Sequence, residues 1–117
     1  TLSNRLVRVV IPVGVAYGSD VPLVMEKLMA CARKNSKIAK TPEPHVLFLS
    51  FGESSLDFEL RVWVPNAEQR LTVKSELHQE IDRSFREAKI EIAFPQRDLH
   101  LRSLDESINL QAAETAK

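Results

Sequence analysis

Cysteine occurs once in this chain, at Cys31, so no disulfide can close within it and a disulfide-stapled secreted scaffold is excluded. That count suits a reducing compartment. Glycine occurs only three times, too sparsely to build a phosphate-cradling loop. An excess of charge of one sign is also missing: 16 Lys and Arg balance 16 Asp and Glu, for a formal net charge of zero. Nucleic-acid binders draw much of their affinity from a basic excess that neutralises phosphate, so the totals speak against that class. No apolar run approaches the ~20 residues that span a bilayer, and Thr1-Leu2-Ser3-Asn4-Arg5 has no signal-peptide architecture. On its own the chain is expected to be soluble and to form no membrane pore.

What is present suits one folded domain. The 117 residues are 44% hydrophobic and 27% charged, which is ordinary for a globular protein. A chain of this size buries roughly two-thirds of the surface it exposes when unfolded, enough for a real core.

Every odd position from Val7 to Val15 is branched and apolar, which predicts a strand with one buried face. Pro12 has no N–H to donate, so one edge of that strand is expected to be locally unpaired or bulged. A turn at Tyr17-Gly18-Ser19-Asp20 follows, with Asp20 suited to cap a helix and Pro22 to its first turn. Val21, Val24, Met25, Leu28 and Ala32 then recur at helical spacing, and Thr41-Pro42-Glu43-Pro44 ends the helical stretch.

His45 to Phe51 is a short apolar run and predicts a second strand. After Gly52-Glu53-Ser54-Ser55 comes a third, with Leu56, Phe58, Leu60, Val62 and Val64 on one face and Asp57, Glu59, Arg61 and Trp63 on the other. Leu77, Ile81, Phe85 and Ala88 mark a second amphipathic helix, and Ile90 to Phe94 alternates as a fourth strand. The order β-α-β-β-α-β with right-handed crossovers predicts an α+β, ferredoxin-like sandwich, both helices on one face of a four-stranded antiparallel sheet. One extended piece, Arg97 to Arg102, is left over. A lone strand seeks another edge, so it is expected to pair between chains. Ser103 to Lys117 is polar, lacks sustained periodicity and is expected to be a flexible tail.

Catalytic chemistry finds no foothold. Cys31 lies one position off the helical stripe, without CxxC spacing, and is expected to be a buried, inert thiol. His45, His78 and His100 fall in three different elements without metal-ligand spacing. Ser54 and Ser55 sit in a turn, where hydroxyls usually bond local backbone, and nothing resembles GxSxG. Glu76, Glu80 and Asp82 are carboxylates of a solvated helix face. Neither cofactor nor metal is called for, and an enzyme is not expected. RNA-recognition versions of this fold carry paired aromatics on the open sheet face, where this chain places Asp57 and Glu59, so RNA is disfavoured as a partner.

Three segments carry a family resemblance. Val13-Gly14-Val15-Ala16-Tyr17-Gly18-Ser19-Asp20 is similar to the first-strand-to-helix motif of small-conductance mechanosensitive (MscS-type) channels, and the run from Phe51 to Val64 resembles their central hairpin. The run from Phe85 to Asp98 resembles the end of their second helix, their last strand and its exit. Together they cover roughly Val7 to Arg102. The resemblance implies a bacterial channel that opens under membrane tension and releases solutes in hypo-osmotic shock. Its identical subunits form a homoheptamer with a hollow vestibule on the cytoplasmic side of the inner membrane. The α/β domain forms the vestibule wall, and the segment after it adds one strand per subunit to a basal barrel.

On that reading, residues 1–5 are the exit from an upstream β-domain that this chain lacks, as it lacks the family's transmembrane helices. Residues 6–96 are the ferredoxin-like domain, 97–102 the barrel strand and 103–117 the tail. Carried over residue by residue, Phe94, Pro95, Gln96, Arg97 and Asp98 form the junction to the barrel, with Leu99 and Leu101 pairing or packing there. Asp57, Glu59, Arg61 and Glu91 are expected, from the strand pattern, to line the open sheet face toward a neighbour or the vestibule. There they would tune permeating solutes electrostatically. The isolated chain is expected to be a monomer or weak oligomer. The competing reading is a regulatory small-ligand-binding module on a ferredoxin-like scaffold, using turns such as Tyr17 to Asp20.

Overall fold

The structure, a computed structural model, describes residues 6–93. Strand β1 (Val7–Val15) buries Val9, Ile11 and Val15, and Val7 and Val13 pack against the same core, as period-2 alternation requires. Gly18 then turns the chain with φ +95°, a value that a residue with a Cβ rarely adopts. Asp20 caps helix α1 (Val21–Lys34) by accepting a hydrogen bond from the Leu23 amide at 3.2 Å, with Pro22 in the first turn. The helix buries Val24, Leu28, Cys31 and Ala32. Val21 and Met25 are only half-buried, so the inward stripe is rotated toward Cys31. Residues 35–44 return the chain to the sheet, held by buried Ile38 and by the Ala39 amide, which donates to the Trp63 carbonyl at 2.7 Å.

Strands β2 (His45–Phe51) and β3 (Leu56–Val64) follow, and the sheet order is β1-β3-β2 with both pairings antiparallel. The β1–β3 register sets Val9 against Val62, Ile11 against Leu60 and Val13 against Phe58, so the apolar residues of both strands share one face. That register runs unbroken past Pro12. The reason lies in the alternation of peptide groups along a strand. Gly14 accepts from Ala93 and Ala16 donates to Glu91, so even-numbered peptide groups of β1 face away from β3, and Pro12 removes no bond between the two. The bulge lies in β2 instead. Phe48 pairs with Phe58 and Ser50 with Asp57, which leaves Leu49 as the extra residue.

A short 3₁₀ turn, Ala67–Gln69, capped by the Asn66 side chain, leads into α2 (Arg70–Ala88). Val73, Leu77, Ile81 and Phe85, spaced by four, are its buried residues. They join the buried residues of α1 and of the inward sheet face in a single core cluster, so both helices lie on that face.

The helix ends on Lys89 in the left-handed region (φ 62°). The Lys89 amide donates to the Arg86 carbonyl at 3.2 Å and the Ile90 amide to the Phe85 carbonyl at 2.8 Å, with Ile90 and Phe85 both buried. These are the bonds of a Schellman helix end, and Ile90 and Phe85 belong to the same core cluster. Ile90 is thus taken up in closing the helix, and the expected fourth strand reduces among the described residues to one antiparallel bridge, Val15 with Ile92. It lies on the free edge of β1, flanked by hydrogen bonds of 2.9 Å from Ala16 to Glu91 and from Ala93 to Gly14. The sheet described is therefore three-stranded, with that bridge beside it. The assignments to Phe94, Pro95, Gln96, Arg97, Asp98, Leu99 and Leu101, to the barrel strand and to both termini lie outside the described residues.

Candidate functional site

The face of the sheet that the helices leave uncovered is made by the residues between the core positions. Along β3 these are Asp57, Glu59, Arg61 and Trp63, each half-buried beside buried Leu56, Phe58, Leu60, Val62 and Val64. The register sets Gly14, Pro12, Val10 and Arg8 of β1 opposite them in that order, and places Leu47 of β2 beside Glu59. Three of the four charges expected on this face therefore stand in one row. Glu91 is exposed and lies beyond β1, next to the bridge residue Ile92, at the Asp57 end of the sheet.

The row is internally paired. Arg61 Nε lies 2.7 Å from Glu59 Oε1, and their side chains are 33% and 18% exposed, so solvent screens this pair less than a fully exposed one. Asp57 accepts from the Ser55 hydroxyl at 2.7 Å and more weakly from Ser50 at 3.4 Å. A Cβ built on Gly52 would stand 2.6 Å from Asp57 Oδ2 and 3.0 Å from the Ser55 carbonyl, so a side chain at residue 52 would crowd the carboxylate over which the β2–β3 turn closes. The Tyr17 hydroxyl donates to the Gly52 carbonyl and ties the first turn to this hairpin. At the other end His45 packs edge-on against Trp63, ring centroids 5.2 Å apart. The strand pattern points to the charges. It does not foretell the pairing of His45 with Trp63 or of Tyr17 with Gly52, which depends on which strands become neighbours.

A second polar array lies on the opposite side of the molecule, along the seam between the helices. Lys34 Nζ bonds Glu80 at 2.8 Å, Lys37 Nζ bonds Glu76 at 2.9 Å, and Asn35 donates to the other oxygen of Glu76 at 3.0 Å. Arg83 also bonds Glu80. Hydrogen bonds from Arg83 first and Lys34 second hold the Glu80 carboxyl down to about 2, and those from Lys37 and then Asn35 lower Glu76. Glu76 and Glu80, expected on a solvated face, thus clasp the end of α1. A possible signal was their spacing of four on α2 opposite a lysine-rich segment.

The remaining candidates keep apart. Cys31 is buried, which pushes its thiol up, away from the reactive thiolate. His78 Nδ1 lies 2.8 Å from the Lys74 carbonyl within its own helix. Among the described residues no three His, Cys, Asp or Glu side chains gather as a metal site, and no helix is long and apolar enough to cross a membrane.

Known proteins are similar to this chain in sequence and fold. Residues 9–92 fit the family model of the mechanosensitive ion channel MscS, C-terminal. The chain is 43% identical over 104 residues to an uncharacterized MscS family protein of Haemophilus influenzae, and 40% identical over 101 residues to the mechanosensitive channel MscK of Escherichia coli. Those stretches cover 89% and 86% of this chain but only 9% of each relative. In a crystal structure of Helicobacter pylori MscS in its closed state, the similarity has a TM-score of 0.71 at 34% identity and covers 76% of this chain and 35% of that one. A cryo-EM structure of AtMSL1 shares the fold at a TM-score of 0.61 and 15% identity, over 78% of this chain and 33% of its own. With most of its length matched by the family model, the chain belongs to the MscS family of mechanosensitive ion channels, whose C-terminal domain its residues 9–92 represent.

Proposed function

We propose that this domain is a wall element of the cytoplasmic vestibule of a bacterial mechanosensitive channel, on the inner face of the inner membrane. The parent channel opens under membrane tension and releases solutes in hypo-osmotic shock. The observation that carries the reading is the one-sided build of the domain within an MscS-family chain. Both helices cover one sheet face, and the other presents Asp57, Glu59 and Arg61 in a row. A wall needs one side to hold its shape and another to meet solution or a neighbour. The domain acts as a member of a ring of identical subunits, seven in the full-length parent, and performs no catalysis.

The bridge of Val15 with Ile92 is, in this reading, the start of a fourth sheet strand that completes the ferredoxin-like sandwich. Beyond it Phe94, Pro95, Gln96, Arg97 and Asp98 lead to the barrel strand, where Leu99 and Leu101 pair or pack with their counterparts. Closed rings of identical strands leave no free edge, which is what makes such a segment useful at the base of an assembly.

Two measurements on the full-length parent test this. Leu99→Asp with Leu101→Asp should lower the subunit number or the stability of the assembled channel in detergent and perturb gating. Unchanged assembly and gating would remove the barrel assignment. Reversing Asp57 and Glu59 to lysine should move the reversal potential in a salt gradient toward anion preference, because fixed charge beside a permeation path biases the local ion concentration. An unmoved reversal potential would show that the open face does not meet the permeating solution.

A further inference from the structure

Where α1 ends, residues 35–44 swing out before rejoining the sheet, and they leave a cavity of about 680 Å³ between the helix end and the loop. That volume lies within the range of small-molecule sites. Its apolar lining includes Ile38 and Pro44, and its polar lining includes Arg33, Lys34, Ser36 and Lys40, with Glu43 as the one carboxylate among the described residues. The local sequence is unusual for a chain of zero net charge. Arg33 to Lys40 carries four cations and no carboxylate.

These cations divide into two pairs. Lys34 and Lys37 are engaged by Glu80 and Glu76 of α2 at 2.8 and 2.9 Å. Among the described residues Arg33 has one ion pair, of 3.8 Å to Glu43, and the two side chains are 62% and 73% exposed. A pair so long and so well hydrated is worth little and is readily displaced. Lys40 is exposed, and no ion pair engages it among the described residues. Arg33 and Lys34 also suit the negative end of the α1 dipole, which accounts for cations in the last turn. It does not account for Lys40, six residues past the helix, nor for the cavity between them.

We propose that this cavity binds a small organic anion, its phosphate or carboxylate held by Arg33 and Lys40 and its apolar body resting on Ile38 and Pro44. Guanidinium groups favour bidentate bonding to such oxyanions, and Glu43 is then the counter-ion that the ligand displaces. None of the cavity's lining residues is one of the open-face charges Asp57, Glu59 and Arg61, and the proposal stands whether or not that face lines a vestibule.

The test is an amide-detected NMR titration of the 117-residue chain with phenyl phosphate, inorganic phosphate and phenol in low salt. Phenyl phosphate should shift the amides of Ser36, Ala39 and Lys40 and bind more tightly than either of its halves. The double substitution Arg33→Gln with Lys40→Gln should weaken it about tenfold or more, the loss expected for charge-assisted hydrogen bonds. Glu43→Gln should tighten it. All three residues are exposed, and unchanged spectra elsewhere verify that the variants fold. Carboxylates are distinguished by repeating the titration with benzoate. Shifts centred elsewhere, no binding by any probe, equal affinity for phosphate and phenyl phosphate, or an unaffected double variant would each overturn the proposal.

Discussion

Leu60 and Leu49 carry the same side chain on neighbouring strands, yet Leu60 is 0% exposed and Leu49, the bulged residue of β2, is 51% exposed. Removing Leu60 opens a cavity in a packed core and should cost ~2–5 kcal/mol as Leu60→Ala. Leu49→Ala should stay within ~0.5 kcal/mol of the parent. Urea denaturation of both variants checks this, and comparable losses would mean that Leu49 is not the bulged, exposed residue of β2. Lys89 presents the converse case, a residue whose backbone rather than its contacts is strained. Its φ of 62° closes α2 at a position where glycine is the usual choice. Lys89→Gly should therefore stabilise the domain by up to ~1 kcal/mol, again by urea denaturation, whereas glycine elsewhere in the helix would destabilise it.

Among the elements, β1 and β3 were legible from alternation because each turns one apolar face to the core, fully buried in β3 and buried at Val9, Ile11 and Val15 in β1, and their bounds coincide with the apolar pattern. The start of α2 was less so. Asn66 to Gln69, a capping residue and a 3₁₀ turn, carries no large apolar side chain, and the buried Val73 lies a full turn before the stripe visible from Leu77. Ile90 misled for a physical reason. Alternation cannot report that Lys89 takes a left-handed conformation and that the helix end then claims the Ile90 amide. The seam between the helices was legible only on one side, in the spacing of Glu76 and Glu80 by four, because Lys34 and Glu80 are 46 positions apart and meet only once both helices lie on the sheet.

That seam carries a pH signature. A carboxyl held at about 2 when folded, against an ordinary value of 4.5, stabilises the fold fully above the ordinary value. This contribution is lost as pH falls through the interval down to about 2. Glu80→Gln should lower the melting temperature by a few degrees at pH 7. The gap to the parent should narrow below pH ~4.5 and close near the folded value, and added salt should shrink it at neutral pH. Melting curves followed by circular dichroism across that range decide it. A gap independent of pH would mean that Glu80 contributes by packing rather than by charge.

At the scale of the whole molecule, the candidate site was only half legible. The charges Asp57, Glu59 and Arg61 followed from a period of two, since a strand with one buried face must present the other outward. Which residues hold them in place followed from strand order, and the cavity beside α1 followed from a loop path that no periodicity encodes. The proposed channel wall rests on the one-sided layer, because a sheet covered on a single face leaves its second face for solution or a neighbour. Tension-gated conduction is the activity on which that interpretation depends. Patch-clamp recording from giant spheroplasts that lack other mechanosensitive channels, with the full-length parent as the sole addition, measures it directly. The account predicts stepwise currents that appear with suction and vanish on its release. A parent that reaches the membrane and stays silent up to the lytic tension would contradict it.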